Sequence, residues 1–488
     1  MHQAAVRMAG VLMPVASLPS RDGVGGFGAE SRRFVDLLSE MGFRLWQVLP
    51  LNPLGYGNSP YQPYSSYAGD ELYIDLDDLE RDGWLSAARD GLPNTGRIDY
   101  DAVRRYKLPF FETAFQTFEA QVRGQEANAF QTFCRQDWVR SYAVFATLKK
   151  HNEMRCWNQW PEEQRDWPAK RKFDLTPYDR EIRFQMFLQY QFHRQWSALK
   201  QYANEKGILI MGDVPFYVGI DSLDVWQDRE SFLLNPEGEP AFIAGVPPDY
   251  FSATGQRWGN PIYDWEHMER TGFRFWIDRL RHSAELYDVI RMDHFRAFDT
   301  YWKIAASCET AVDGQWVEAP GYAFFRRLRE ELPGIKLVAE DLGDLRPEVL
   351  ELRDACGLPG MSIAEFTLPG PLPHGKNQVV YTGTHDNQTA LGWYESLDDD
   401  MRRKVDRCLG REGRKGKSFS WRMLHYVLRS SADLAVIPLA DLLELDDSAR
   451  LNTPGTVGSP NWEWRLEDLS LLEGHKTTIK RMLRYAKR

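Results

Sequence analysis

The stretch YDVIRMDHFR, residues 287–296, begins as a short buried strand and then turns polar. Tyr287, Val289 and Ile290 are apolar, whereas Arg291, Asp293, His294 and Arg296 crowd into the six residues that follow. Ionisable groups inside a core must be paired or must face a cleft. The pattern therefore predicts a strand whose C-terminal end opens into a site. Arg291 and Asp293 are two residues apart, so in an extended chain they share a face. An arginine beside a carboxylate favours its charged form at neutral pH, which suits a nucleophile and does not suit a proton donor. A buried Arg–Asp pair that only staples a core is the plainer alternative, and this stretch alone leaves it open.

Outward from it the same pattern recurs. Short apolar runs lie near residues 11, 45, 209, 289, 337, 363, 381 and 436, most of them separated by helical spacing. Between the first two, Phe34, Leu37, Leu38 and Met41 predict an amphipathic helix over 31–41. Alternating β and α units imply a parallel sheet, and eight of them imply an α/β protein built on a (β/α)8 TIM barrel. Asp213, Asp293, Glu340 and Asp386 all stand at or just past the end of such a run. In barrels of this kind the reacting groups sit at the C-terminal ends of the strands. Apolar residues at helical spacing dominate from about residue 75 to 204, which predicts a mostly helical inserted subdomain over 55–204, with the barrel formed by 1–54 and 205–488.

Composition narrows the function classes. The net charge of −10, from 60 basic and 70 acidic side chains, argues against nucleic acid or a membrane surface as the main partner. Five scattered cysteines without CxxC spacing, and an N-terminus without signal-peptide layout, lead us to expect a cytoplasmic protein. No stretch approaches the roughly 18 apolar residues of a membrane span. Aromatic content is high, with 17 Trp, 21 Tyr and 26 Phe. Many of these rings lie in Gly-, Pro- and Asn-rich segments, where flat faces beside polar groups suit sugars. Tyr56, Tyr61 and Tyr64 are candidate ligand contacts in the loop after the second strand, unless they pack that loop against itself. The segment AGVPPDYFSATGQRWGNPIYDW (244–265) reads as a second such loop. Gly23, Gly25 and Gly28 meet the G-x-G-x-x-G spacing, but they start several residues past the strand, and no acid ends the next one to hold a ribose.

Two carboxylates flanking a bond are the equipment for glycoside hydrolysis or transfer. Asp293, beside Arg291, fits the ionised attacking group. Glu340 follows an apolar run and adjoins Asp341, so burial and a like charge are both expected to raise it towards a proton donor. Asp386, next to His385, is placed to bind sugar hydroxyls. A rival of another class is a metal-dependent barrel hydrolase using Asp293–His294 and His385–Asp386. Neighbours in a strand point to opposite faces, and no His-x-His or His-x-x-x-His pair supports a chelate. A non-catalytic sugar-binding scaffold would not need Arg291, Asp293 and Glu340 together.

The motifs IRMDHFRAF (290–298), LVAEDLG (337–343), YTGTHDNQT (381–389), GDVPFYV (212–218), GVPPDYFSATGQRWGNPIY (245–263) and LNTPGTVGSPNWEWR (451–465) resemble the 4-α-glucanotransferase, or amylomaltase, family. These are barrel relatives of the α-amylases that lack their C-terminal β domain, and the similarity runs along essentially the whole chain. It implies a TIM barrel with helical insertions that transfers α-1,4-glucan segments from a maltodextrin donor to an acceptor glucan or glucose, by a retaining double displacement. An α-1,4-glucan hydrolase of α-amylase type is the nearest alternative. Asp293 matches the nucleophile, Glu340 the general acid/base and Asp386 the transition-state stabiliser. Arg291 and His385 match residues that hold the nucleophile and the sugar, Asp213 the acid of the first shared amylase motif, and Tyr61 a sugar-stacking tyrosine. Asp249, Tyr250, Phe251 and Trp258 fall in the segment that arches over donor and acceptor, and His294 and Asn461 complete the expected substrate-binding set. The resemblance implies no cofactor and no metal. One departure is Gln388-Thr389, where the family often has Asp-Thr.

Overall fold

The apolar runs become strands because each is buried on both faces: MAGVL at Met8–Leu12 and LAVIP at Leu434–Pro438 meet almost no solvent. The computed structural model describes residues 7–86, 89–248, 253–372, 375–410 and 418–488. Among these, the strands are β1 (Met8–Leu12), β2 (Leu45–Gln47), β3 (Leu209–Val214), β4 (Phe242–Val246), β5 (Gln256–Pro261), β6 (Val289–Met292), β7 (Thr300–Ala305), β8 (Gly314–Glu318), β9 (Leu337–Ala339), β10 (Gly360–Ile363), β11 (Gln378–Tyr381) and β12 (Leu434–Pro438). Eight of them form one parallel sheet in the order β10-β11-β12-β1-β2-β3-β6-β9. The Ala339 amide donates to the Pro359 carbonyl at 2.8 Å, which joins the two outer strands and closes a (β/α)8 barrel. All eight expected runs are barrel strands. No strand follows β12 among the described residues.

The helix Ala29–Met41 buries Phe34, Leu37, Leu38 and Met41 against the barrel. The glycines ahead of it serve close packing. A Cβ on Gly25 would overlap the Val15 carbonyl, and one on Gly28 the Asp75 carboxylate. Between β2 and β3 run the helices Tyr100–Gln121, Gly124–Cys134, Asp137–His151 and Asp179–Glu205. The last packs on the other three and also on β3 and Ala29–Met41. These helices and the barrel consequently share one hydrophobic core.

The segment expected as a loop over 244–265 instead contains strand: its first three residues end β4, and residues 256–261 form β5. β4 and β5 pair antiparallel and join β7 and β8 in a second sheet, ordered β5-β4-β7-β8. Gly259 and Pro261 lie inside β5, which stands at the edge of that sheet, where a missing donor is tolerated. Their presence is what disguised the strand. No helix among the described residues is long and apolar enough to cross a membrane.

Candidate active site

Three adjacent strands deliver the central charges. Asp213 on β3 is in register with Arg291 on β6, and Met292 on β6 with Ala339 on β9. Asp213 is therefore level with Arg291, and Asp293 and Glu340 stand opposite each other one step further along. Arg291 is buried, and its Nη1 donates to Asp213 Oδ2 at 2.6 Å and to Asp293 Oδ1 at 3.0 Å. The Tyr61 hydroxyl donates to the same Asp213 oxygen at 2.8 Å. Its ring stacks on His385 with centroids 4.8 Å apart, and Trp462 packs against both. The loop after β2, the end of β11 and the 451–465 segment thus meet over the carboxylates.

Glu340 Oε2 accepts from the His294 backbone N–H at 2.7 Å. His294 takes a left-handed φ of 50° to present that N–H, a conformation uncommon outside glycine and typical of over-determined functional turns. Its ring meets Trp258 edge-on at 4.9 Å, so the second sheet reaches the site through β5. Gln62 Nε2, donating to the Trp258 carbonyl at 3.5 Å, ties that strand to the Tyr61 loop.

Burial raises both central carboxyls. Asp293 rises to about 6, with Arg291 opposing and Asp213 adding to the shift. Glu340 rises to about 8, with Arg291 again opposing and Asp293 reinforcing. Asp293 is thus mostly ionised at neutral pH, but the arginine does not depress it below the ordinary range, because burial, and then the Asp213 charge, outweigh it. The like charge that acts on Glu340 is chiefly Asp293 rather than the expected Asp341. Asp341 turns away, bonding to Arg353 and accepting from the Met361 amide at 2.6 Å.

Asp386 behaves oppositely. Enclosure in the cleft acts to raise it, but His385 and Asn452, with Arg291, outweigh this and hold it well below the usual carboxylate range. Asn452 Nδ2 donates to Oδ1 at 2.7 Å, and Arg450 donates to the Asp386 carbonyl at 3.0 Å. Its side chain remains 46% exposed, so a ligand can reach it. His385 Nε2 lies 3.4 Å from Asp386 Oδ2. The expectation that these neighbours point apart fails because both stand beyond β11, where strand alternation no longer holds. Even so, among the described residues no three His, Cys, Asp or Glu side chains gather to hold a metal ion.

Other expected contacts are distributed differently. Tyr56 is 73% exposed. Tyr64 lies under the Lys149 ammonium at 4.7 Å, packed on the insertion. Asn461 is buried and commits its amide to Thr453 and Thr456. Asp249, Tyr250 and Phe251 lie outside the described residues. Gln388 donates to Asp447 Oδ2 at 2.6 Å. An aspartate there would face a like charge. Asn452, inside the 451–465 motif, and Arg450, just before it, were not singled out in the sequence, because nothing local gives them a partner. They lie more than sixty residues from Asp386 and reach it only through the fold.

A closed barrel with three carboxyls, a shared arginine and stacked aromatics at its C-terminal end defines a (β/α)8-barrel enzyme. A family model for 4-alpha-glucanotransferase matches residues 13–471. The 4-alpha-glucanotransferase of Thermus thermophilus is 43% identical over 491 residues, covering 98% of each chain. The amylomaltase from Streptococcus agalactiae, solved in complex with acarbose, superposes with a TM-score of 0.93 at 34% identity over 99% of both chains. That from Corynebacterium glutamicum, 18% identical with a TM-score of 0.76, shares the fold over 99% of this chain and 75% of its own. The chain belongs to the 4-alpha-glucanotransferase family.

Proposed function

We propose that the protein transfers α-1,4-glucan segments from a maltodextrin donor to the 4-hydroxyl of an acceptor glucan or of glucose, through a covalent glycosyl-enzyme. The observation that carries this is a pair of carboxyls from adjacent strands held in different charge states: Asp293 bonded to Arg291, and Glu340 pushed up to about 8. Such a split is how one site supplies both a nucleophile and an acid. An Asp293 carboxylate oxygen attacks the anomeric carbon. The bond to the leaving O4 breaks, and Glu340 passes its proton to that oxygen. In the second half the acceptor 4-hydroxyl attacks the same carbon, returns its proton to Glu340 and frees Asp293. Asp386, held ionised by His385 and Asn452, stabilises positive charge on the sugar ring and binds its hydroxyls. Trp258, edge-on to His294 beside these carboxyls, offers a face for an acceptor sugar, so a sugar hydroxyl replaces water.

Incubation with maltotriose tests the reading. Glucose plus a ladder of longer maltodextrins is expected, unchanged by EDTA. Glucose and maltose alone point to hydrolysis, and loss of activity in EDTA restored by a divalent ion revives the metal rival.

The same pair sets the pH response. Protonation of Asp293 removes the nucleophile, so the rate falls as pH drops below about 6. Ionisation of Glu340 removes the acid, so it falls again above about 8. The two limbs belong to the coupled pair. Measured kcat/KM against pH should be bell-shaped. A rate that keeps rising past the alkaline limb removes Glu340 as acid.

A further inference from the structure

Glu365 is a buried carboxyl that these chemical steps do not use. It lies just past the end of β10, next to β11, with 7% of its surface exposed. Its Oε2 accepts from Asn387 Nδ2 at 3.0 Å, and its Oε1 has no hydrogen-bond partner. Asn387 Oδ1 in turn accepts from the Thr384 amide at 2.9 Å and from the Thr384 hydroxyl at 2.8 Å. The Thr384 Oγ1 then accepts from the Asp386 amide at 3.3 Å. The carboxyl also rests on Gly383, where an added Cβ would come 2.8 Å from Oε1 and 3.0 Å from the Asn387 Cβ.

We propose that Glu365 is a positioning residue: through Asn387 and Thr384 it holds the turn after β11 and so sets where the Asp386 carboxylate points. Asn452 and Arg450 grip Asp386 from one side. Glu365 supplies the opposing hold through the backbone, which matters because the turn has left the barrel sheet and no ladder bonds fix it. The inference rests on the proposed role of Asp386. Burial, then the nearby Asp441 charge, raises Glu365 to about 9, so near neutral pH the group is an uncharged acid. A glutamine, neutral and of the same shape, can accept the Asn387 bond; a leucine cannot.

The test compares kcat and KM on maltotriose, with the folded fraction measured by near-UV circular dichroism, for Glu365→Gln, Glu365→Leu and Gly383→Ala. A misplaced charge of this kind costs about 10- to 100-fold. That loss is expected in kcat for Glu365→Leu, with KM little changed and beyond any loss of folded protein. Gly383→Ala should match it, since the new methyl pushes both ends of the clamp. Glu365→Gln should stay within a few-fold of wild type. The inference is overturned if the leucine variant keeps wild-type kcat per folded molecule, or if glutamine loses as much as leucine. Asp386→Asn separates the two levels. If it remains active, the role given to Asp386 is wrong; if it is inactive while Glu365→Leu is unimpaired, only the positioning role of Glu365 is wrong.

Discussion

Asp293→Ala is expected to lower glucan transfer by several orders of magnitude while the barrel stays folded. The side chain is the only one of the three central carboxyls bonded to Arg291 and still open to the cleft, 27% exposed against 0% for Asp213. On the proposed mechanism, removing it deletes the atom that attacks the anomeric carbon, and no neighbour is placed to replace it. Asp386 is aligned by His385 and Asn452, and Asp213 is sealed behind Tyr61. Losing one partner of a buried pair is costly when the remaining charge is left uncompensated. Arg291 keeps Asp213 at 2.6 Å, so the guanidinium stays paired and the fold penalty is modest. Turnover of maltotriose and a thermal melt, measured together, check both halves. A variant with wild-type turnover removes Asp293 from the attack, and one that fails to fold shows that Arg291 needs both carboxylates.

Glu340→Gln has the second large effect. The amide keeps the shape and can still accept the His294 N–H, so the turn at residue 294 survives. What it loses is proton transfer, a loss of about 10²- to 10⁴-fold where a positioned acid and base assists bond cleavage. A distinguishing signature follows from the leaving group. With a maltosyl fluoride donor the departing fluoride needs no proton, so the variant should still form the glycosyl-enzyme on Asp293 and then stall for want of a base. Mass spectrometry of the intact protein reads the adduct. An adduct that forms as slowly from the fluoride as from a glucan donor contradicts the acid/base role.

Much of this was legible along the chain. The eight barrel strands stood out because strands buried on both faces must be apolar throughout, and that is a property of composition over a few residues. The Arg291–Asp293 bond was legible because two residues of one extended segment share a face, a purely local relation. The hairpin of β4 and β5 was not. Its Gly and Pro content matches a loop, and its partner β7 comes some forty residues later, so only long-range pairing reveals it. The left-handed turn at His294 was not legible either, since its N–H bonds to Glu340, far along the chain on another strand.

Residue types and spacing by themselves determined the barrel, the acids at its strand ends and the pairing of Asp293 with its arginine. Only the tertiary structure decided the charge states and the company those acids keep. Asp293 is raised rather than lowered because burial outweighs an arginine that Asp213 shares, and Glu340 answers to Asp293 across the strands, not to its neighbour Asp341. Asp386 stays charged because Asn452, from a distant part of the chain, joins its neighbour His385 in holding it down. The physical reason is that desolvation and Coulomb energy depend on distance in space, and distance along the chain says little about either.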